Sequence, residues 1–290
     1  MLSDLASIAD PPIDRTPKHY IGGKQARPDS GYSRPVYDAR GRLIGEVGEG
    51  NRKDIRNAVE AARAAAKWSE QTGHGRAQIL YYIAENLSAR AEEFARRLVA
   101  TAGYDEDTAA QEVAASIERL FAYAAWADKY DGAVHHTPLR NVTLAVPEPI
   151  GVIAIACPDD APLLACVTLM AAAISLGNTI VLVPSEKWPL LATDLYQVLD
   201  TSDVPGGVVN IVTGARDALA KVLAEHNDVD AIWYFGGADG SAMIERASAS
   251  NLKQTWVGYG QPRDWRDRRA DEVFLRHATQ VKNIWVPYGA

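Results

Sequence analysis

GVIAIACPDDAPLLACVTLMAAAISLGNTIVLVPSE, residues 151–186, holds two short apolar runs with a helical stretch between them. Gly151–Ala156 and Thr179–Val183 are uninterrupted and rich in β-branched residues, the composition of strands covered on both faces. Pro162–Leu176 is long enough for a helix and opens with proline, which suits the first helical position. Further along, Gly207–Val212 and Ala231–Phe235 repeat the strand composition. Helical stretches at Pro189–Leu199, Arg216–His226 and Ala238–Ala249 fall between or after them. Strand and helix thus alternate over roughly a hundred residues, which predicts an α/β fold built on a doubly wound parallel sheet.

Upstream, the period changes. From Asn51, the residues Ile55, Val59, Ala62 and Ala66 fall on one helical stripe. His74–Leu87, Ala91–Thr101 and Thr108–Tyr130 continue as amphipathic helices that pack against the sheet. Residues 18–50 are rich in Pro, Gly and Arg and read as a surface ribbon with a turn at Ala39-Arg40-Gly41. Val142–Val146 and Val281–Val286 are strand-like pieces outside the alternation, able to pair with each other or with another chain. The expected organisation is one domain over 1–290: ribbon 18–50, helices 51–130, α/β core 150–260, and strands at 140–149 and 279–287.

Composition narrows the function classes. The 290 residues are 47% hydrophobic and 23% charged, so the chain is globular and neither disordered nor fibrous. A net charge of -7 and a pI near 5.4 provide no basic footprint, which argues against nucleic acid and acidic membranes as partners. Cys157 and Cys166 are too few for a disulfide framework, and the chain opens with no signal segment, so a cytoplasmic location is expected. The start at Met1 with a polar lead-in favours a complete gene product.

Ligands of such sheets bind beyond the carboxyl ends of the strands, so the turns there are the places to search. FGGADGS, residues 235–241, is a Gly-rich loop opening a helix. It either receives a phosphate on free backbone N–H groups or serves as a simple tight turn. Asp159-Asp160 offers a carboxylate pair, but an Asp pair just before Ala161-Pro162 reads more simply as a helix cap. Cys157 stands at a strand end as a candidate thiolate, yet nothing nearby supplies a base and the plainer reading is a small buried cysteine. The run Arg263–Arg269, mixed charge around Trp265, is either a solvated connector or an interface anchor.

Taken together, PIGVIAIACPDDAPLL, GNTIVLVPSEKWPL, VPGGVVNIVTG and SNLK resemble the aldehyde dehydrogenase family in order and spacing. RPVYDARGRLIGEVGEGNRKDIRNAVEAA and QVKNIWVPYG extend that resemblance in both directions. GYSRPVYDARGRLIGEVGEGNRKD and KNIWVPYG look most like the noncatalytic second domain of the family-16 members. The resemblance implies a Rossmann-like sheet with flanking helices and an oligomerisation β-ribbon. By the same resemblance, Pro184, Ser185, Glu186, Gly236, Gly237 and Gly240 stand at cofactor-binding positions, as a vestige.

Elsewhere the match fails where chemistry would sit. The family's Pro-Trp-Asn is Pro158-Asp159-Asp160 here, so an acceptor replaces the donor that would hold an oxyanion. Val183 replaces the lysine that meets the cofactor's ribose. Gly258-Tyr259-Gly260-Gln261 stands where the family carries its glutamate base. The family then continues into a catalytic domain bearing the cysteine nucleophile, whereas about twenty residues here lead straight to Thr279, too few for a domain. No catalytic residue is therefore assigned and no metal is expected.

The expected function is that of a pseudoenzyme subunit with an assembly or regulatory role, pairing with itself or with a catalytic aldehyde dehydrogenase. It needs no cofactor. The alternative is the NAD-binding half of a split NAD(P)-dependent aldehyde dehydrogenase.

Overall fold

The computed structural model describes residues 18–268 and 271–288. Met1, and Arg269 at the end of the mixed-charge run, lie outside them.

The chain starts with two three-residue strands, β1 (His19–Ile21) and β2 (Lys24–Ala26), joined by a turn at Gly22-Gly23. β3 (Ser33–Tyr37) and β4 (Leu43–Gly48) form the hairpin expected around Ala39–Gly41. α1 (Arg52–Ala64) begins in a capping box: the Asn51 side chain accepts from Lys53 and Asp54 N–H, and Asp54 accepts from Asn51 N–H. Three helices follow, α2 (Gly73–Ala89), α3 (Ala91–Ala102) and α4 (Glu106–Trp126). α3 ends at Gly103, whose φ of 72° is the left-handed stop that glycine tolerates best.

β5 (Ala133–His135) and β6 (Asn141–Pro149) precede the α/β core. The core runs β7 (Val152–Ala156), α5 (Pro162–Ser175), β8 (Thr179–Val183), α6 (Leu190–Asp200), β9 (Val209–Ile211), α7 (Arg216–Glu225), β10 (Ala231–Tyr234), α8 (Ala238–Ser248) and β11 (Gln254–Val257). A short α9 (Asp271–His277) leads into β12 (Thr279–Pro287).

The main sheet has the order β11-β10-β7-β8-β9-β1-β2, its first five strands parallel. β7 stands between β8 and β10, so the chain winds outward from it in both directions, as a doubly wound sheet must. Alternate strand residues enter two cores. Ile153, Ile155, Ile180, Leu182 and Trp233 pack with α2, α4, α5 and α6 on one face. Val152, Ala154, Val181, Ile232 and Tyr234 pack with α1, α7 and α8 on the other.

Two expectations need correction. Residues 18–50 are not all surface ribbon, because β1 pairs antiparallel with β9 and extends the main sheet. Tyr20 is buried there and stacks on Tyr196, with ring centroids 5.3 Å apart. The Arg263–Arg268 stretch is neither a solvated connector nor an outward anchor, since Trp265 is buried against Phe235 and Phe274. The two outlying strands do pair with each other: β6 and β12 run antiparallel over nine residues, with β5 on the far side of β6.

Candidate functional site

A cavity of about 230 Å³ lies beyond the carboxyl ends of β7 and β10, where the winding of the sheet reverses. Its wall includes Asp159, Lys187, Arg216, Gly236, Gly237 and Arg263. A larger cavity, about 930 Å³, lies between β4, α3 and α6, away from the strand ends. Both arginines on its wall are matched by carboxylates, Arg90 by Glu93 and Arg97 by Asp194. The smaller cavity is therefore the candidate, on position rather than size.

Asp159 organises one side of it. Its carboxylate accepts from Ser185 Oγ at 2.7 Å, Lys187 N–H at 3.3 Å and Arg216 Nη1 at 3.2 Å. Burial by itself would raise this carboxyl, but those donors together hold it below the usual range. Arg216 also donates to Cys157 O at 3.2 Å. Asp159 is thus occupied by partners brought from β8 and α7.

That bonding overturns the helix-cap reading of Asp159-Asp160. The N-cap of α5 is Ala161, in the left-handed region at φ 46°, with no side-chain cap of its own. Glu112 of α4 does the work instead, its Oε1 accepting from Leu163 N–H at 2.9 Å and Leu164 N–H at 3.2 Å. Asp160 is exposed at the rim.

Cys157 is completely buried. Burial pushes its thiol well up, as does the neighbouring Cys166, and no imidazole is among the groups acting on it. A thiol in that setting is a packing group, as the sequence suggests, rather than a nucleophile.

The six positions carried over by resemblance fall in three places. Gly236 and Gly237 line the cavity. Pro184, Ser185 and Glu186 follow β8, where Ser185 holds Asp159 and accepts from Trp188 N–H at 3.1 Å. Glu186 accepts from Arg34 Nη2 at 3.1 Å and from Arg216 N–H at 2.9 Å, which occupies both carboxylate oxygens. Gly240 is buried within α8.

Tyr234 explains two of the glycines. A side chain at Gly236 or Gly240 would collide with the Tyr234 phenol, so the backbone there is bare because an aromatic ring lies against it. The phenol donates to Asp217 Oδ1 at 2.6 Å and thereby bridges β10 to α7. At Gly237 a side chain would meet nothing, and α8 starts there without a side-chain cap. Gly258 and Gly260, where the glutamate base would be sought, occupy the turn after β11 on the cavity wall and bring no carboxylate.

Three site residues escape the sequence reading: Arg216, Lys187 and Arg263. Arg216 is the first residue of α7, directly after the turn that follows β9, one of the strand-end turns where ligands of such sheets bind. Arg263 sits in a run whose alternating charges hide it, and only folding brings it among the rings of Phe235, Trp256, Trp265 and Phe274. Among the described residues no group of His, Cys, Asp and Glu is arranged to hold a metal.

Comparison with known proteins agrees with this geometry. Residues 28–261 match the model of the aldehyde dehydrogenase family. A 2-hydroxymuconic semialdehyde dehydrogenase of Pseudomonas putida is 33% identical over 84% of this chain and 52% of its own length. The NADP/NAD-dependent aldehyde dehydrogenase PuuC of Escherichia coli is 32% identical over 75% and 45% respectively. Among solved structures, the NAD+ complex of an aldehyde dehydrogenase from Bacillus cereus superposes with a TM-score of 0.79 at 28% identity, covering 83% of this chain and 50% of that one. The chain spans about half the length of the curated relatives it matches. Sheet order, the strand-end cavity and a family match over most of the sequence converge: this chain belongs to the aldehyde dehydrogenase family.

Proposed function

We propose that this chain is a noncatalytic aldehyde dehydrogenase-family subunit that acts in an assembly, with a second copy of itself or with a catalytic aldehyde dehydrogenase. The observation that carries this reading is the Tyr234 phenol, bound to Asp217 and lying over Gly236 and Gly240. The ring takes the side on which a residue at Gly236 or Gly240 would carry its Cβ, so packing accounts for these two glycines without a dinucleotide. Both cysteines are buried, so the chain presents no thiol to an aldehyde. The likeness to the noncatalytic second domain of family-16 members belongs to the same proposal, as do a cytoplasmic location and the single-domain organisation. Among the described residues no helix is long and apolar enough to cross a membrane.

A second reading has support of its own. The relatives named above are dehydrogenases, one of them NADP/NAD-dependent by name, and the match falls on the half of them that this chain spans. On that reading the chain is the NAD-binding half of a split NAD(P)-dependent aldehyde dehydrogenase, with Glu186, Gly236 and Gly240 toward the cofactor.

Titration with NAD and NADP, followed by an aldehyde oxidation assay on the purified chain, separates the two. The assembly reading expects no saturable binding up to millimolar nucleotide and no turnover. Saturable micromolar binding without turnover would transfer the conclusion to the split enzyme. Turnover by the chain alone would remove both.

A further inference from the structure

The cavity of about 930 Å³ between β4, α3 and α6 is faced by two polar helix stripes. On α3 the stripe is Arg90, at the N-cap, with Glu93 and Arg97. On α6 it is Leu190, Asp194, Gln197 and Asp200. Both follow the spacing of three and four residues that lines one side of a helix. A helix side turned toward its neighbours is ordinarily apolar, because polar groups there cost free energy unless each finds a partner. Here both sides are polar and the space between them stays open, so packing alone does not account for them.

Several of these groups have bonding capacity to spare. Arg97 donates through Nε and Nη2 to Asp194, at 2.6 and 3.2 Å, and makes no hydrogen bond through Nη1 among the described residues. Asp194 accepts from Arg97 alone among the described residues, although each carboxylate oxygen has a second lone pair. Burial raises the Asp194 carboxyl against the lowering effect of Arg97, so its charged form is short of donors. Gln197, and Gln25 on β2, are exposed on the same wall, and their side-chain amides have no hydrogen bond among the described residues.

Charge decides what such a wall receives. With Arg90 and Arg97 paired, Glu46 and Asp200 stand against Lys18, a net of one negative charge, so neither an anion nor a dication has much to gain. A hydroxyl is donor and acceptor at once, and a row of them can meet spare N–H groups and spare lone pairs together. Ile44 and Leu190 add apolar surface for the carbon skeleton between the hydroxyls. The volume falls within the roughly 300–1,000 Å³ of pockets that hold small molecules.

We infer that this cavity is a binding site for a neutral polyhydroxylated ligand, a sugar or a linear polyol, received between the polar stripes of α3 and α6. The site goes beyond the assembly reading and is independent of it, since no wall of the cavity comes from β6 or β12.

Saturation-transfer difference NMR and isothermal titration test this on the full chain, with maltose, sorbitol, gluconate and putrescine as probes. Maltose or sorbitol is expected to saturate below about 10 mM. Tighter maltose would point to a sugar, tighter sorbitol to an open chain, and either supports the site. Saturation is the readout because polyols excluded from a protein surface raise its melting temperature without binding. Gluconate and putrescine are expected to bind no more tightly than the better neutral probe. Gln197→Ala, at an exposed position, should weaken that probe by about five- to tenfold and leave the unliganded melting temperature unchanged. Arg97→Lys keeps a cation beside Asp194 while removing the free Nη1, and should also bind more weakly than the parent. The inference falls if neither neutral probe saturates in that range, if Gln197→Ala binds unchanged, or if gluconate or putrescine binds more tightly than both neutral probes.

Discussion

Glu112 lies on α4, yet its carboxylate closes the first turn of α5, 51 residues away in the chain. Helix starts leave backbone N–H groups without partners, and inside a core those donors need an acceptor. The same burial that makes the cap necessary raises the Glu112 carboxyl, against the lowering effect of the Leu164 and Leu163 N–H groups and the Tyr104 hydroxyl. Because its folded pKa lies above its unfolded one, the native state prefers the protonated form. Stability should therefore fall as pH rises from the ordinary glutamate range through the raised value, and level off above it. Glu112→Gln keeps an oxygen acceptor without the buried charge, so denaturant melts should find it at least as stable as the parent at pH 7.5 and flatter across that window. Glu112→Ala orphans the two N–H groups and should cost about 1–3 kcal/mol at every pH. If the Gln variant is as unstable as the Ala one, the cap depends on the charge. Local sequence points to Asp159-Asp160 for this task because capping patterns see only neighbours in the chain, and an acceptor from another helix leaves no local signature.

At the scale of elements, the residues after β11 behave as a plug rather than a connector. Arg119 of α4 and Asp271 of α9 form an ion pair in which both side chains are nearly inaccessible. Arg119 Nη2 also donates to Trp265 O at 2.8 Å, and Tyr123 lends its hydroxyl to Asp271 O at 3.4 Å. Trp265, Phe274 and Leu275 are buried around this anchor. Removing one member leaves the other charged in an apolar setting, so Arg119→Ala should destabilise the chain by about 3–5 kcal/mol in urea melts. The double change Arg119→Met with Asp271→Leu should recover most of that loss. A single variant within about 0.5 kcal/mol of the parent would mean that the tail contributes nothing to the fold. Strands β7, β8, β9 and β10 are legible in the sequence because burial on both faces demands unbroken apolar runs. β1 is not, since three residues give no periodicity and its partner β9 lies about 190 residues further on. Trp265 escapes for a related reason: its neighbours Asp264 and Arg266 are exposed, and alternation of that kind in a charged run imitates a solvated loop.

At the scale of the whole molecule, the three-stranded sheet β12-β6-β5 stands apart from both cores. Every described residue of β12 after Thr279 is exposed, including Val281 at 61% and Trp285 at 60%. The outer edge of β12 has no neighbouring strand among the described residues. An edge of this length with apolar side chains is a pairing surface, because unsatisfied backbone groups and exposed tryptophan both favour a covering chain. A stable pairing buries about 800 Å² on each partner, within reach of nine-residue strands and the side chains around them. Light scattering after gel filtration should then give a mass at least twice the 31.4 kDa of the chain at micromolar concentration. Trp285→Glu together with Val281→Lys places charges on that edge and should shift the species to monomer, while far-UV circular dichroism stays unchanged because both positions are exposed. A monomeric parent that becomes larger on mixing with a catalytic aldehyde dehydrogenase would assign the edge to that partner instead. A parent that stays monomeric alone and in the mixture would rule the edge out as an assembly surface, and with it the reading of this chain as an assembly subunit.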